Sequence, residues 1–288
     1  MDRLKKIIVL GSTGMAGHVV STYLEECGYD VYGTSRSVSN TEKSISIDAC
    51  DLDKLEKWLD SIKPDVIINC IGILNKDADE RSHTAILLNA YLPQWLSVKY
   101  KSTLTKIIHL STDCVFSGET GGYTEKSFPD GKTMYDRSKA LGEINNDKDL
   151  TFRMSIIGPD INENGIGLFN WFMKQSGKIN GYTKAIWNGV TTIELSRAID
   201  NAIKTDLKGL YHLTSKTNIS KHDLIILFKE TFDKKNIEII PFDDFALDKS
   251  LINTRNDFEH TIPSYPDMIK EMKYWVDKHP NLYCNRYK

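Results

Sequence analysis

Tyr135 and Lys139, in the middle of the chain, have the types and the spacing needed for proton transfer. They stand four residues apart in the stretch MYDRSKALGE, which reads as a helix. Four residues is about one helical turn, so both side chains share one face. A lysine cation beside a phenol favours the phenolate and lowers a pKa that is ordinarily about 10. A phenol tuned in this way can act as an acid or a base near neutral pH.

A hydroxyl group is available for the same reaction in the upstream stretch HLSTDCVF. Either Ser111 or Thr112 could hydrogen-bond a substrate oxygen beside the phenol. Together these groups would polarise a carbonyl while a nicotinamide cofactor delivers hydride, which side chains cannot supply. A tyrosine four residues before a lysine also occurs on ordinary helix surfaces. This interpretation therefore depends on a cofactor site elsewhere in the chain.

Such a site is indicated by Gly11, Gly14 and Gly17 in the stretch LGSTGMAGHVV. They lie between an apparent strand, KKIIVL, and an apparent helix, HVVSTYLEECG, which is the context of a Rossmann dinucleotide-binding fingerprint. Glycines let the backbone approach a pyrophosphate, and a helix N-terminus offers free N–H groups and a favourable dipole. The spacing differs from the commoner Gly-x-Gly-x-x-Gly, and a purely structural turn is the alternative.

The end of the second predicted strand indicates the form of the cofactor. An acid at this position favours NAD, whereas a nearby arginine accommodates the phosphate of NADP. This chain has GTSRS, with Ser35 and Arg36 and no acid, and a guanidinium can bind phosphate with two hydrogen bonds. We therefore expect NADPH, with NADH possible; the alternative is that Arg36 is a solvated surface residue. Asp48, after the third predicted strand, could accept a hydrogen bond from adenine, or could cap or solvate the loop.

Composition argues against several other classes of function. The chain has 288 residues, 40% hydrophobic and 26% charged, which is ordinary for a globular protein. A formal net charge of −2 gives no strong field for nucleic acid or a membrane surface. The 5 cysteines form no Cys-x-x-Cys pair, the 7 histidines form no metal motif, and no stretch has the length of a membrane span. We expect a cytoplasmic protein with no metal and with neither nucleic acid nor membrane as a partner.

The order of the predicted elements must bring these residues together. The first half alternates apolar, strand-like runs with helical patterns, which predicts an α/β Rossmann fold, a doubly wound parallel sheet with helices on both faces. The second half is less regular, with predicted strands LTFRMSIIG and GLYHLTS, several helices, and loops rich in Gly, Asn and Asp. We expect an NAD(P)-binding domain over residues 1–155. A smaller C-terminal α/β substrate lobe would span residues 156–288, partly interleaved with the sheet.

Together these motifs resemble the extended short-chain dehydrogenases/reductases. Within them, the chain is similar to the dTDP-4-dehydrorhamnose reductases and related nucleotide-sugar 4-ketoreductases of surface-polysaccharide biosynthesis. The resemblance covers nearly the whole chain, through GSTGMAG, PDVIINCIG, LLNAYLPQWL, LSTDCVFSG, YTE, YDRSKALGE, FRMSIIG, NGVTTIELSRAI and GLYHLTS. It implies NADPH-dependent reduction of the 4-keto group of a dTDP- or UDP-linked 6-deoxyhexose.

The resemblance also implies roles for particular residues. Thr112, Tyr135 and Lys139 become catalytic, and Asp113 beside Thr112 helps to hold the sugar. We also expect Trp187 and Asn188, in a predicted loop, to contact the substrate; packing is the alternative for Trp187. The implied cofactor contacts are Gly11, Thr13, Gly14, Met15, Ala16, Ser35, Arg36, Asp48, Ala49, Cys70, Ile71, Gly72, Tyr135 and Lys139.

Some positions depart from the family pattern. Cys114 stands where a tyrosine often follows Ser-Thr-Asp, Ile156 where an aromatic residue is common, and Asp136 where glycine often follows the catalytic tyrosine. Cys114 and Ile156 fall around the expected sugar pocket, so they leave the reaction in place and the identity of the sugar open. The segments WNGVTT and YPDMIKEMKYWV are similar to reductases of polysaccharide gene clusters, some of which act on UDP-linked N-acetylamino sugars.

Two other functions remain open at this point. An epimerase of the same superfamily would hold NAD tightly and recycle it, whereas Arg36 favours a dissociable NADPH. A non-enzymatic regulatory subunit is the second alternative, because one relative of these reductases serves methionine adenosyltransferase. A pure binding module would not need Thr112, Tyr135 and Lys139 together. A homodimer is possible, since related reductases are often dimers.

Overall fold

The chain alternates strands and helices, and the computed structural model describes residues 3–37, 39–284 and 286–287. Within these residues the strands are β1 (Lys6–Leu10), β2 (Asp30–Ser35), β3 (Ser44–Ser46), β4 (Val66–Asn69), β5 (Lys106–Leu110), β6 (Leu150–Arg153), β7 (Ile156–Ile157), β8 (Gly177–Trp187), β9 (Val190–Thr191), β10 (Gly209–His212), β11 (Ile219–Ser220) and β12 (Ile237–Asp248). The helices are α1 (Met15–Glu26), α2 (Leu52–Ile62), α3 (Asn75–Glu80), α4 (Ser82–Ala85), α5 (Leu92–Lys99), α6 (Met134–Leu141), α7 (Leu168–Lys174), α8 (Thr192–Thr205), α9 (Lys221–Thr231), α10 (Tyr265–Lys278) and α11 (Pro280–Tyr283). A π-helical segment (Ile86–Tyr91) joins α4 to α5, and a 3₁₀ turn (Asp113–Val115) follows β5.

The central sheet has 7 strands in the order β3-β2-β1-β4-β5-β6-β10. Every pairing within it is parallel. The strand order reverses at β1, which pairs with β2 on one side and with β4 on the other. In an open parallel sheet, a crevice for ligands forms at the carboxyl ends of the strands at this point. The glycine turn follows β1 directly, so the sheet places it at the crevice.

Hydrophobic residues cover both faces of this sheet. Along β1, Ile7 and Val9 enter one buried cluster, which includes residues of α1 and α8. Ile8 and Leu10 enter the other cluster, with residues of α2 and α5. Successive side chains of a strand point to opposite faces, so β1 contributes to both layers. The predicted doubly wound α/β fold with helices on both faces is confirmed.

The second half of the chain contributes a strand to the same sheet. After β6 the chain builds other elements, and then β10 returns to pair in parallel with β6. This pairing fits the interleaving expected from the sequence. The division at residue 155 stays a prediction.

A second, smaller sheet of 3 strands, in the order β11-β8-β12, was not predicted. The expectation of loops in this part of the chain is wrong, because β8 and β12 are strands of 11 and 12 residues. Both strands are largely exposed and contain glycine or proline, which weakens the apolar alternation by which a strand is recognised. Pro241 is tolerated because β12 is an edge strand.

Residues after α10 pack back onto a loop that follows β7. Tyr283 and Tyr287 are 0% and 2% exposed. The Tyr287 hydroxyl accepts the N–H of Asp160 at 2.9 Å. The Arg286 guanidinium donates to the carbonyl oxygens of Asp160 and Ile161, at 2.9 and 2.7 Å. Arg286 and Tyr287 therefore fix the backbone at residues 160 and 161.

No helix in the part of the chain that the structure describes combines the length and the apolar character needed to span a bilayer.

We expect Tyr287→Phe to lower the free energy of unfolding by about 1–3 kcal/mol, because it leaves the buried N–H of Asp160 without its acceptor. Denaturant titration measures the difference. Tyr274→Phe is the matched control, since Tyr274 is 68% exposed and its loss should change stability by less than about 0.5 kcal/mol. Equal stabilities of Tyr287→Phe and wild type would contradict the assigned role of this hydroxyl.

Candidate active site

The glycine turn has the geometry of a phosphate cradle. Gly11 has φ = +76°, in the left-handed region where a side chain is strained. A Cβ on Gly17 would collide with the carbonyl oxygen of Gly11, so α1 can pack on the turn only with glycine at this position. Gly14 is the N-cap of α1, and no side chain caps its N–H groups. These free donors suit an anion such as a pyrophosphate.

A cleft of about 830 Å³ opens from this turn. Most of the predicted cofactor contacts line it, namely Gly11, Thr13, Gly14, Ser35, Arg36, Asp48, Ala49, Cys70, Ile71 and Gly72. The fold thus brings together four separate segments in the arrangement that a dinucleotide requires. Met15 and Ala16, the first residues of α1, are outside this lining, and their contact with a cofactor stays a prediction.

Other residues of the lining were not identified from the sequence. They are Ser37, Ile47, Cys50, Ile73, Arg81, Thr84, Leu88, Ile161 and Asn162. Some of them are next to predicted residues in the sequence. The others come from the α3–α4 region and from the loop after β7, which reach the cleft only through the fold. No local pattern marks them.

Asp48 is held by the loop that follows it. Its carboxylate accepts the backbone N–H of Cys50 at 3.0 Å. That hydrogen bond lowers the pKa of Asp48, and the charge of Arg36 lowers it further. The group is therefore ionised at neutral pH. Its loop-capping role is visible in the structure, and its contact with adenine stays a prediction.

Two buried asparagines position the loop of Cys70, Ile71 and Gly72. Asn69 accepts the N–H of Ile71 at 3.2 Å. Asn89 accepts the N–H of Ile73 at 2.8 Å, and its amide donates to the Ile73 carbonyl and to the Ser138 hydroxyl. Asn89 lies in the π-helical segment, a distortion that often occurs at functional sites. It therefore ties the cofactor loop to α6, the helix of Tyr135 and Lys139.

Helix α6 starts with a capping box. The Thr133 hydroxyl accepts the N–H of Asp136, and the Asp136 carboxylate accepts the N–H of Thr133, both at 3.1 Å. Asp136, one of the departures from the family pattern, therefore fixes the start of the helix. Tyr135 and Lys139 are 8% and 4% exposed, and both are buried on α6 as their spacing predicts.

Both side chains adjoin the cleft, although neither is part of its lining. Tyr135 lies in an apolar cluster with Ala78 and Ala85, against which the cleft residue Ile73 packs. Lys139 is close enough to Cys70, another cleft residue, for each to shift the pKa of the other. The predicted catalytic groups thus stand at the side of the cleft formed by the β4 loop.

The environment of the Tyr135 phenol differs from the expectation. Burial raises its pKa above the ordinary value, and Cys114, Asp113 and Asp136 raise it further. The Thr112 hydroxyl opposes these effects and lowers the pKa of Tyr135. The expectation of a lowered pKa is therefore wrong, because burial outweighs the groups that favour the phenolate. The Lys139 ammonium donates to the carbonyl oxygen of Leu110 at 2.6 Å.

Lys139 has an unusual pKa for a lysine. Burial lowers it to about 8, while the charges of Glu143 and Cys70 oppose that shift. The neighbouring imidazole of His109 lies 3.4 Å from the ammonium. Burial and the Lys139 charge lower the pKa of His109 well below its usual value, so His109 is neutral and Lys139 carries the cation.

The structure distinguishes the two hydroxyl groups at the end of β5. The Ser111 hydroxyl donates to Glu143 at 2.7 Å and is engaged there. The Thr112 hydroxyl donates to Asp113 Oδ1 at 3.2 Å, accepts the N–H of Cys114 at 3.1 Å, and lowers the pKa of Tyr135. This effect on Tyr135 favours Thr112 over Ser111 as the partner of the phenol. Burial raises the pKa of Asp113, with Lys249 opposing that shift first and Thr112 and Lys221 next.

Trp187 is not in a loop, which corrects the prediction for that residue, whereas Asn188 lies in the short connection between β8 and β9. Trp187 ends β8, is 5% exposed and packs against Tyr265 with ring centroids 5.6 Å apart. The Asn188 amide donates to the carbonyl oxygen of Leu251 at 2.8 Å and accepts the Leu251 N–H at 3.0 Å. Packing, the alternative to substrate contact, is what the structure shows for Trp187. A substrate contact by either residue stays a prediction.

A second cavity, of about 600 Å³, lies in the lobe between α7, α9 and the small sheet. Trp171, Tyr182 and Phe245 line it and are 40%, 38% and 46% exposed. Lys221 also lines it, and its charge lowers the pKa of the half-buried Asp113. The cavity is thus electrostatically linked to the region of Thr112 and Tyr135.

A buried polar network lies behind the predicted catalytic residues. Arg153, 1% exposed, donates to Glu143, which also accepts from Ser111. On its other side, the Arg153 guanidinium lies 2.9 Å from His212 Nε2. Glu125, of the YTE motif, accepts the N–H of His212 and the N–H and hydroxyl of Thr254. This network connects the ends of β5, β6 and β10 to the loop of Glu125 and to the loop of Thr254.

Across the described ranges, His, Cys, Asp and Glu form no group of three or more placed to hold a metal ion.

Comparison with known proteins identifies a family and several relatives to which this chain is similar. Residues 5–250 match the family described as the RmlD substrate binding domain. A probable low-salt glycan biosynthesis reductase, Agl14 of Haloferax volcanii, is 28% identical over 261 residues, covering 85% of this chain and 83% of the relative. Methionine adenosyltransferase 2 subunit beta of Xenopus tropicalis is 23% identical over 256 residues, covering 83% of this chain and 76% of the relative.

Among solved structures, a dTDP-4-dehydrorhamnose reductase of Bacillus anthracis in complex with NADP superimposes with a TM-score of 0.78. It is 20% identical and covers 95% of this chain and 100% of its own. At this identity the likeness establishes the fold.

We expect Gly17→Ala to destabilise the protein by about 1–3 kcal/mol, because the added methyl group forces α1 away from the turn. Gly14→Ala is the matched comparison, since its Cβ would lie 3.3 Å from the Gly11 carbonyl oxygen and needs only a small adjustment. Thermal unfolding of both variants measures the difference. The assigned packing role of Gly17 fails if the two substitutions have the same effect on stability.

Proposed function

This chain belongs to the RmlD substrate binding domain family, and we propose that it is an NADPH-dependent reductase acting on the 4-keto group of a nucleotide-linked 6-deoxyhexose. Family membership supports a nucleotide-sugar reductase in glycan biosynthesis. The observation that carries the finer proposal is the convergence of Thr112, Tyr135 and Lys139 beside the cleft. Thr112 acts on the pKa of Tyr135, and Lys139 and the cleft residue Cys70 act on the pKa of each other, which supports a proton donor, a hydroxyl and a cation acting together.

The cleft fits a dinucleotide on features of this structure. The glycine turn with its uncapped helix N-terminus would hold the pyrophosphate. Ser35 and Arg36 would hold the adenosine ribose and its phosphate. A bound NADPH would supply the hydride. Arg36 favours NADPH over NADH, because its guanidinium forms no hydrogen bond with the described residues and is available for a phosphate.

The phenol of Tyr135 acts as the proton donor. Burial keeps it protonated at neutral pH, so it can give its proton to the oxygen of the reduced carbonyl. The Thr112 hydroxyl favours the phenolate that remains, because it lowers the pKa of Tyr135. The Lys139 cation lies nearby, held by the Leu110 carbonyl, and favours the developing negative charge.

The second cavity is our proposed site for the nucleotide of the sugar substrate. Its exposed aromatic side chains offer surfaces on which a base can stack. Lys221 lines this cavity, and its charge acts on Asp113. If the sugar of the substrate reached Tyr135, its diphosphate would lie near Lys221. The proposed nucleotide is dTDP or UDP. Asp113 would hold the sugar, and we propose that the reaction takes place in the cytoplasm.

A regulatory subunit is the second candidate function. It is favoured by the similarity to methionine adenosyltransferase 2 subunit beta over 83% of this chain. In that case the cleft would bind a cofactor, but no keto sugar would be reduced. The protein would then form a stable complex with a second protein. The predicted homodimer is a separate proposal, which size measurement in solution would test.

Turnover is the direct test of the reductase. We expect NADPH consumption with at least one member of a panel of dTDP- and UDP-linked 4-keto-6-deoxyhexoses. Tyr135→Phe should lower kcat by about a hundredfold or more, because it removes the proton donor, while NADPH still binds. Tyr274→Phe, on the protein surface, is the control and should match wild type. Absence of turnover on the whole panel, with NADPH bound normally, would favour the regulatory candidate.

The activity should also report the ionisation of Lys139. Lysine is a cation below its pKa, so we expect kcat to fall as pH rises through about 8, where the buried ammonium loses its proton. In Lys139→Arg this decline should disappear, because a guanidinium keeps its proton throughout the accessible range. An identical alkaline decline in both proteins would assign that ionisation to another group.

A further inference from the structure

Arg81 occupies a break between two short helices above the cofactor cleft. It follows α3 and precedes α4, and its backbone, at φ = −124° and ψ = 54°, is not helical. Its side chain lines the same cleft as Ser35, Arg36 and Ser37. Two arginines from separate elements thus line one cleft. They belong to its end near the carboxyl ends of β2 and β3, away from the glycine turn.

The charges at this end of the cleft are unbalanced. Asp48 is the one carboxylate in the described lining, whereas Arg36 and Arg81 are both cations. Arg36 and Arg81 each act on the thiol of Cys50 and lower its pKa, against burial and Asp48, which raise it. Both guanidinium groups therefore line the cleft within electrostatic reach of Cys50. Their excess positive charge favours an anionic group there.

Both guanidinium groups are available to a ligand. That of Arg36 forms no hydrogen bond or ion pair with the described residues. That of Arg81 has a single partner, Asp77, at 3.1 Å, and the two side chains are 47% and 66% exposed. Exposed ion pairs of this kind contribute little to stability. A guanidinium has five N–H donors, so Arg81 can accept a new anion while it keeps or exchanges this carboxylate.

We infer that Arg81 joins Arg36 in binding the phosphate on the adenosine ribose of NADPH, and so determines specificity for NADPH over NADH. The ribose belongs at the end of β2, beside Ser35 and Arg36, whereas the pyrophosphate belongs at the glycine turn. The anion between the two arginines is therefore the ribose phosphate, which NADH lacks. This inference rests on the proposed cofactor and does not depend on the sugar substrate.

The test is a titration of nucleotide binding without any sugar present. Dissociation constants for NADPH and NADH are measured with wild type, Arg81→Gln, Arg81→Lys and the control Lys76→Gln. Lys76 lies on α3 with its side chain 86% exposed, so its substitution removes a nearby charge outside the cleft lining. We expect Arg81→Gln to weaken NADPH about tenfold or more and to leave NADH within about twofold, because a charge-assisted hydrogen bond is lost. Arg81→Lys should recover part of the NADPH affinity, and Lys76→Gln should behave as wild type.

Several results would overturn the inference. Equal weakening of NADPH and NADH by Arg81→Gln would show that Arg81 supports the cleft or the pyrophosphate and does not select the ribose phosphate. Unchanged NADPH affinity, or an effect of the same size in Lys76→Gln, would exclude a specific contact. Failure of the reductase proposal is separate, because it would appear as selective NADPH binding through Arg81 with no turnover on any keto sugar.

Discussion

The buried ion pair between Arg153 and Glu143 is the interaction on which the site depends. Both side chains are withdrawn from water, and removing either partner of such a pair leaves an uncompensated charge that costs about 3–5 kcal/mol. Glu143 also holds Ser111 and acts on Lys139, and Arg153 reaches His212 on β10. One pair therefore joins the catalytic end of β5 to the strand supplied by the second half of the chain.

Burial governs the protonation of the groups around Tyr135. It keeps the phenol protonated, lowers the pKa of Lys139 to about 8, and keeps His109 neutral. The phenol was expected to have a pKa lowered by the lysine. In the structure both groups respond to the same low-polarity surroundings, and Thr112 opposes the effect of burial on the phenol. Under the proposed function, such a site would keep its proton until negative charge develops on the substrate.

Local sequence patterns predicted the features that are formed by residues contiguous in the chain. The apolar runs gave the parallel sheet, and the glycines between β1 and α1 gave the cleft, because strand, turn and helix are contiguous. The strands β8 and β12 were missed, since they are half exposed and interrupted by glycine or proline. Trp187 was misplaced for the same reason. Asn89 and Arg81 were missed because their importance comes from segments distant in sequence that only the fold brings together.

The packing of Arg286 and Tyr287 separates formation of the sheet from completion of the cleft. They hold Asp160 and Ile161, and Ile161 and Asn162 form part of the cleft wall. Both residues follow every strand of the central sheet along the chain. The strands can therefore pair while one wall of the dinucleotide cleft is still unsupported. Cofactor binding would then report the docking of these two residues as well as the folding of the sheet.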